Sequence, residues 1–246
     1  MNAMKLLVLG LLWATGAVLA VPITPNSTLI PLPAATFGGS GIPNTSVAVT
    51  NVGNVTLGLS AAARFDNPTV TNNGAGTFYA LAGVDNHAPS PGDPYALWNF
   101  NYYIGGTITD YNYKLFYDFD PGVGTDESLH GVSSLLGAQI DVSFPTLGVV
   151  FPSQNSLNLG MNFLQTPPVP LVLQPPAFSP FNPNAVGSYT FALVAYEKTG
   201  GGGGFGAEVG RTAMEVTAVP EPGTYALLLA GLSAVTFVAR RRRKQA

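Results

Sequence analysis

The chain has no cysteine. That excludes disulfide scaffolds, cysteine nucleophiles and thiolate metal sites. Charge is scarce too, with only 9% of the 246 residues being Asp, Glu, Lys or Arg. Histidine occurs twice, at His87 and His130, too few for a zinc site without a third ligand. A basic stripe is also missing. Six of the ten Lys and Arg residues lie near the ends (Lys5 and the run Arg240, Arg241, Arg242, Arg243, Lys244), leaving Arg64, Lys114, Lys198 and Arg211 for residues 21–218. Twelve of the thirteen acidic residues fall in that stretch, so it carries about −8 while the whole chain carries −3. A surface of that sign repels phosphate backbones, and nucleic acid is not expected as a partner.

Long apolar runs are confined to the termini. Near the start, Lys5 precedes Leu6-Leu7-Val8-Leu9-Gly10-Leu11-Leu12-Trp13, and small residues lead to Ala20. A charged n-region, an apolar h-region and a small-residue cleavage point make residues 1–20 a secretory signal peptide cut after Ala20. Pro22 and Pro25 stop any helix from running on. Residues 21–218 are expected to form a single domain, long enough to bury a core without disulfides.

Within that body period-two alternation dominates. Val55, Leu57 and Leu59 share one face. So do Ala96, Trp98, Phe100, Tyr102 and Ile104, and then Tyr111, Tyr113, Leu115, Tyr117 and Phe119. The same spacing recurs at Ile140, Val142 and Phe144, at Leu157, Leu159, Met161 and Phe163, and at Tyr189, Phe191 and Leu193. Each pattern puts one row of side chains on a buried sheet face. Gly-Gly, Asn-Gly, Asn-Pro and Pro-Gly turns separate these segments, and no internal repeat is found. Eight or nine short strands so punctuated predict an all-β fold, an antiparallel β-sandwich with an immunoglobulin-like tendency. Residues 95–104 and 111–119 are expected to pair as a hairpin through Gly105-Gly106. Residues 188–197 and 207–218 are expected to pair through the Gly200–Gly204 run. Tyr189 sits where a corner tyrosine bonds back to nearby backbone, an ordinary strand tyrosine being the equal alternative. Residues 165–183 hold seven prolines (167, 168, 170, 175, 176, 180 and 183) and read as a long crossover between sheets.

The end of the chain, residues 219–246, departs from this pattern. Val219-Pro220-Glu221-Pro222 is followed by an apolar segment and then by the five basic residues 240–244. Two prolines fix φ and keep the tripeptide extended. Tyr225 to Ala239 spans about 22 Å as a helix, so crossing a ~30 Å hydrocarbon core needs the flanking residues and a snorkelling Arg240. The basic cluster stays on the cytoplasmic side. In this order and position the three parts resemble the PEP-CTERM sorting signal of Gram-negative bacteria. The resemblance implies recognition by an exosortase, a membrane-embedded processing enzyme that cleaves near the motif and passes the protein to the cell exterior. It also implies an inner-membrane-anchored precursor and an association with extracellular polysaccharide and biofilm. The apolar segment is the membrane helix of that signal.

The body offers weaker chemistry. Asp118, Asp120, Asp126 and Glu127 lie close together on a Gly-containing stretch, the kind of oxygen set a calcium ion takes, although EF-hand spacing is absent. A solvated turn is the preferred alternative. The same carboxylates could form a glycosidase pair if they stood ~5 Å apart. Ser, His and Asp occur, but without the Gly-x-Ser-x-Gly elbow of a hydrolase. Trp98, Tyr102, Tyr103, Tyr111, Tyr113 and Tyr117 could stack on sugars, with Tyr103 on the face opposite Trp98. More commonly such a set is core. The expectation is a non-catalytic exported protein of the cell surface or extracellular matrix with no cofactor. A carbohydrate-binding or calcium-assisted adhesive module is the alternative, and a secreted hydrolase a weaker one.

Overall fold

The computed structural model describes residues 21–64, 67–87, 94–144, 149–150, 152–167, 172–221, 223, 229–233 and 235. The expected signal peptide, Pro168, Pro170, Pro222 and the basic cluster lie outside the described residues. In chain order the strands are β1 (Leu29–Ile30), β2 (Val47–Val52), β3 (Val55–Ala63), β4 (Thr71–Asn72), β5 (Thr77–Leu81), β6 (Trp98–Gly106), β7 (Asn112–Tyr117), β8 (Gly131–Leu136), β9 (Ser143–Phe144), β10 (Val149–Val150), β11 (Gln154–Leu157), β12 (Leu173–Gln174), β13 (Gly187–Thr199) and β14 (Gly204–Val219). One sheet runs β1-β2-β3-β6-β11. A larger one runs β12-β8-β7-β13-β14-β5-β4, and β9 and β10 form a small ribbon. Among the described residues the strand pairs are antiparallel except β14 with β5.

The two large sheets face each other across one core. The alternation read from the sequence supplies it. Trp98, Phe100, Tyr102 and Ile104 from β6 meet Tyr113, Leu115 and Tyr117 from β7 and Tyr189, Phe191 and Leu193 from β13, all buried. Aromatic rings close a circuit through the middle. Trp98 contacts Phe191 edge-on at 6.2 Å, Phe191 stacks on Phe100 at 4.8 Å, and Phe100 stacks on Tyr117 at 6.4 Å. The circuit continues through Phe119, Phe181 and Tyr189 back to Trp98. Such tilted and offset contacts add to the area each ring buries. Of the sugar-stacking set, Trp98, Tyr102, Tyr113 and Tyr117 are therefore core, and Tyr111 packs half-buried against it. Tyr103 is not an exposed platform either, because it packs with Phe37, Val47 and Ile42 under the 31–44 loop.

The expected hairpin of residues 95–104 with 111–119 does not form. β6 pairs with β3, and Gly105 and Gly106 are strand residues opposite Thr56 and Val55 rather than a turn. The chain then arches through Ile108–Asp110 into the other sheet, where β7 pairs with β13 and β8. Both strands carry a heavy aromatic row. Placed face to face across the core, the two rows bury each other; side by side in one sheet they would need a third partner. The tight hairpin is instead β2–β3, closed by Gly53 and Asn54 with Gly53 at φ 55°. The second expected hairpin is present as β13–β14, joined at Gly200–Gly203.

Two further strands are shorter than the alternation suggests. Over 140–144 only Ser143–Phe144 is strand, and Val142 is exposed. Over 157–163 the strand stops at Leu157, and Asn162–Gln165 form one helical turn, α1. The cause is Asn158, buried rather than outward-facing. Its Nδ2 donates to the carbonyls of Ala96 and Trp98, and its Oδ1 accepts the N–H groups of Ala96 and Gly160. Gly160 then turns the chain against Pro94, whose carbonyl a Cβ would strike. The proline-rich stretch leads from β11 in one sheet to β13 in the other, as a crossover should. Tyr117 pins it, its hydroxyl donating to Leu164 and Gln174 carbonyls at 2.9 and 3.2 Å. Tyr189 donates to the Ala185 carbonyl four residues upstream at 3.2 Å, the contact expected of a corner tyrosine.

Candidate functional site

Two regions carry most of the polar side chains singled out above. The first is the loop 118–130, which joins β7 to β8. The structure divides its four carboxylates among separate partners. Asp118 is fully buried and accepts the Asp120 N–H at 2.8 Å and the Thr190 hydroxyl at 3.3 Å. Asp120 accepts Gly122 N–H and the Thr125 hydroxyl. Asp126 accepts the N–H groups of Val21 and Ser128, at 2.7 and 2.8 Å, and the Ser128 hydroxyl. Glu127 faces Arg211 at 2.5 Å. Among the described residues no three His, Asp or Glu side chains stand together as a metal cluster.

His130 lies under this loop, buried with Asp118 and Thr190. Its Nδ1 faces the Asp126 carbonyl at 3.0 Å, and its Nε2 is 2.8 Å from Thr190 Oγ1 and 3.7 Å from Asp118 Oδ2. Burial pushes the Asp118 carboxyl above its usual range, and the nearby imidazole opposes that shift. Both side chains are sealed from solvent. The hydroxyl that joins them is that of Thr190, and the arrangement ties the loop to β13. His87 is on a surface turn, 3.5 Å from Asp85.

Arg211 had no assigned role in the sequence. It forks between Glu127 and Glu208, with Nε 2.6 Å from Glu208 and Nη2 2.5 Å from its second oxygen. Glu208 and Arg211 are three residues apart, and in a regular strand they would face opposite sides. β14 has a register shift against β13 between Ala195 and Tyr196, which leaves Val209 as an extra residue and brings the two onto one face. Gly206 and Gly210 inside the strand pattern were the available signal, since isolated strand glycines mark bulges. The Glu208 hydrogen bond is the main reason that Arg211 is held charged more firmly than usual.

The second region is the end of β14. Ala218 pairs with Gly187 on one side and Ala80 on the other, and Val219 pairs with Leu81. The Val219 carbonyl accepts the Ala82 N–H at 2.8 Å. Pro220 has no N–H to continue the ladder, so the sheet stops there. Pro220 is half-buried, and Glu221 stands exposed immediately beyond it. Gly223, 229–233 and 235 are helical, and Leu229, Leu232 and Val235 are all exposed. Among the described residues no helix is long and apolar enough to cross a membrane.

The model of the PEP-CTERM protein-sorting motif family matches residues 218–243. The chain carries a PEP-CTERM motif. It sits at the C-terminus, where the sequence pattern placed it. PEP-CTERM signals are recognised by exosortase-type membrane enzymes, so the protein is an exosortase-sorted one whose precursor transits the membrane on its way out. No curated protein and no solved structure matches the chain. The PEP-CTERM match begins at Ala218 and thus overlaps the last two residues of the sheet.

Proposed function

We propose that this is a non-catalytic structural protein of the bacterial cell surface or extracellular matrix, exported by a signal peptide and processed at its PEP-CTERM motif. The observation that carries the reading is the absence of slack between fold and signal. Val219 is hydrogen-bonded in the sheet, and Glu221 is already exposed. A membrane enzyme gripping an extended Pro-Glu-Pro segment would therefore cut at the edge of a finished fold and release it whole. The exposed Leu229, Leu232 and Val235 suit a segment solvated by lipid before release. Arg240 to Lys244 would hold its far end on the cytoplasmic side.

The non-catalytic part is supported by where the polar groups lie. The Asp118–His130–Thr190 group is sealed in the interior, and the remaining acids of the loop are engaged by backbone N–H groups, hydroxyls or Arg211. The test is export of the full chain in a host with an exosortase, beside a variant with Arg240 to Lys244 all replaced by glutamine and a second with Pro220 and Pro222 replaced by alanine. The expected result is a released product for the natural chain and retained precursor for both variants. Release of all three with the C-terminal segment still attached would overturn the reading.

A further inference from the structure

Val21, the first residue after the expected signal-peptide cut, is seated on the acidic loop. Its nitrogen lies 2.7 Å from Asp126 Oδ2, and its carbonyl accepts the Glu127 N–H at 3.0 Å. Pro22 forms an antiparallel bridge with Asp126. Two residues on, Ile23 is 3% exposed and covers Phe116, Ala192, Val194 and Ala213 on the outer face of the larger sheet. Asn26 follows, its Nδ2 donating to the Arg211 carbonyl and its Oδ1 accepting the Ala213 N–H. The Asn26 amide thus extends the edge of β14 below Glu215, where its pairing with β5 begins. Residues 21–27 form a strap across the sheet, and Val21 is its buckle.

The charge around that buckle is unbalanced. Asp126, Glu127 and Glu208 line one cavity of about 560 Å³ with Val21, Phe116 and Arg211. Arg211 is shared between Glu127 and Glu208. Asp126 is held below the usual carboxylate range, chiefly by the Ser128 hydroxyl and N–H, so it is ionised at neutral pH. An amide N–H at Val21 contributes a hydrogen bond to it and no charge.

We propose that cleavage between Ala20 and Val21 supplies the second cation of this cavity, the α-ammonium of Val21, which pairs with Asp126 and fastens the N-terminal strap over the sheet. Hydrolysis breaks the Ala20–Val21 amide. Water's hydroxyl goes to the Ala20 carbonyl carbon and its hydrogen to the Val21 nitrogen, and the new amine takes a further proton from solvent, its ordinary pKa being ~7.7–8.0. The groups facing it are Asp126, Glu127, Glu208 and Arg211, with His130 behind the loop through its contact to the Asp126 carbonyl. The same step that removes the signal peptide therefore completes the folded surface. A chain that keeps extra residues ahead of Val21 has the strap but not the charge.

The inference rests on reading residues 1–20 as a cleaved signal peptide, and the two are tested separately. N-terminal sequencing of the exported protein is expected to begin at Val21; any other first residue removes the cleavage site and the ion pair with it. On protein that begins at Val21, acylation of the α-amine by an anhydride at pH 7 is followed by mass spectrometry in the natural chain and in Asp126→Asn. Asparagine keeps an acceptor for Ser128 and loses the charge. The natural chain is expected to react about tenfold more slowly, the equivalent of one unit in amine basicity. The acylated natural protein is expected to melt at a lower temperature, and the acylated variant to be unchanged. Equal rates together with equal melting shifts would overturn the ion pair and leave the cleavage site standing. If Asp126→Asn is not exported, Asp126→Ser makes the same comparison.

Discussion

Ala82 donates its backbone N–H to the carbonyl of Val219 at 2.8 Å, so the residue immediately before Pro-Glu-Pro is still part of the sheet. A chain ended by a stop codon after Val219 is expected to keep the stability of the processed protein. One ended after Met214 loses the buried side chains of Val216 and Ala218 and the whole β14–β5 pairing. It should lose at least ~2–3 kcal/mol from the Val216 side chain alone. Urea denaturation of both truncations checks this, and equal midpoints would contradict the placement of Val219.

Tyr117 holds two carbonyls of the crossover from inside the core, at Leu164 and Gln174. Tyr117→Phe keeps the ring stacked on Phe100 and removes the donor. The expected cost is about 1–3 kcal/mol, because the carbonyls lose a partner. Protease sensitivity is expected to rise first within residues 164–174. A loss below ~0.5 kcal/mol, with cleavage no faster there, would show that the crossover does not depend on that hydroxyl.

Asp118 and Asp126 predict pH effects of opposite sign. Burial raises the Asp118 carboxyl, so its contribution is fully present below the usual carboxylate pKa of ~3.9 and is lost as pH rises through the raised value. The stability of the natural chain relative to Asp118→Asn should therefore fall as pH rises above about 4. A flat difference between pH 3 and 8, measured by chemical denaturation, would argue against a desolvated carboxylate there.

The Asp126 carboxyl is lowered, first by the Ser128 hydroxyl and then by the Ser128 and Val21 N–H groups. Its contribution is present above the usual carboxylate pKa and disappears as pH falls through the lowered one. Stability of the natural chain relative to Asp126→Asn is expected to drop on the acid side of about pH 4. A difference that instead grew on acidification would mean that the carboxylate is not accepting those hydrogen bonds.

Arg211 faces Glu127 and Glu208, and Asp126 lines the same cavity. Arg211→Met keeps much of the stem and removes the guanidinium that lines that cavity. We expect a loss of about 1–2 kcal/mol, the scale of a small partly exposed ion-pair network. Added salt should recover part of it by screening the remaining carboxylates. Arg211→Lys is expected to recover only part, because an ammonium cannot bridge both carboxylates with a planar fork. A salt-independent loss would assign the effect to packing.

The alternating rows of β3, β6, β7 and β13, the glycine turn between β13 and β14, the proline-rich crossover and the sorting motif could be read from residue order. Each is local: a strand's buried face follows from period two, and the motif is a contiguous string matched at residues 218–243. Residue order could not say which rows meet. Residues 95–104 and 111–119 read as a hairpin because they are close in the chain. The tertiary structure put them in opposite sheets, where their aromatic faces bury each other. The same holds for Asn158, whose alternating position says outward while its amide, once the β-edge of residues 96–98 is beside it, is worth more inside. Arg211, Glu127, Asp126 and Val21 come from three distant parts of the chain, and only a bulge in β14 turns Glu208 toward them. Pairing between strands is a long-range choice made by mutual burial, and a single sequence records the faces but not their partners.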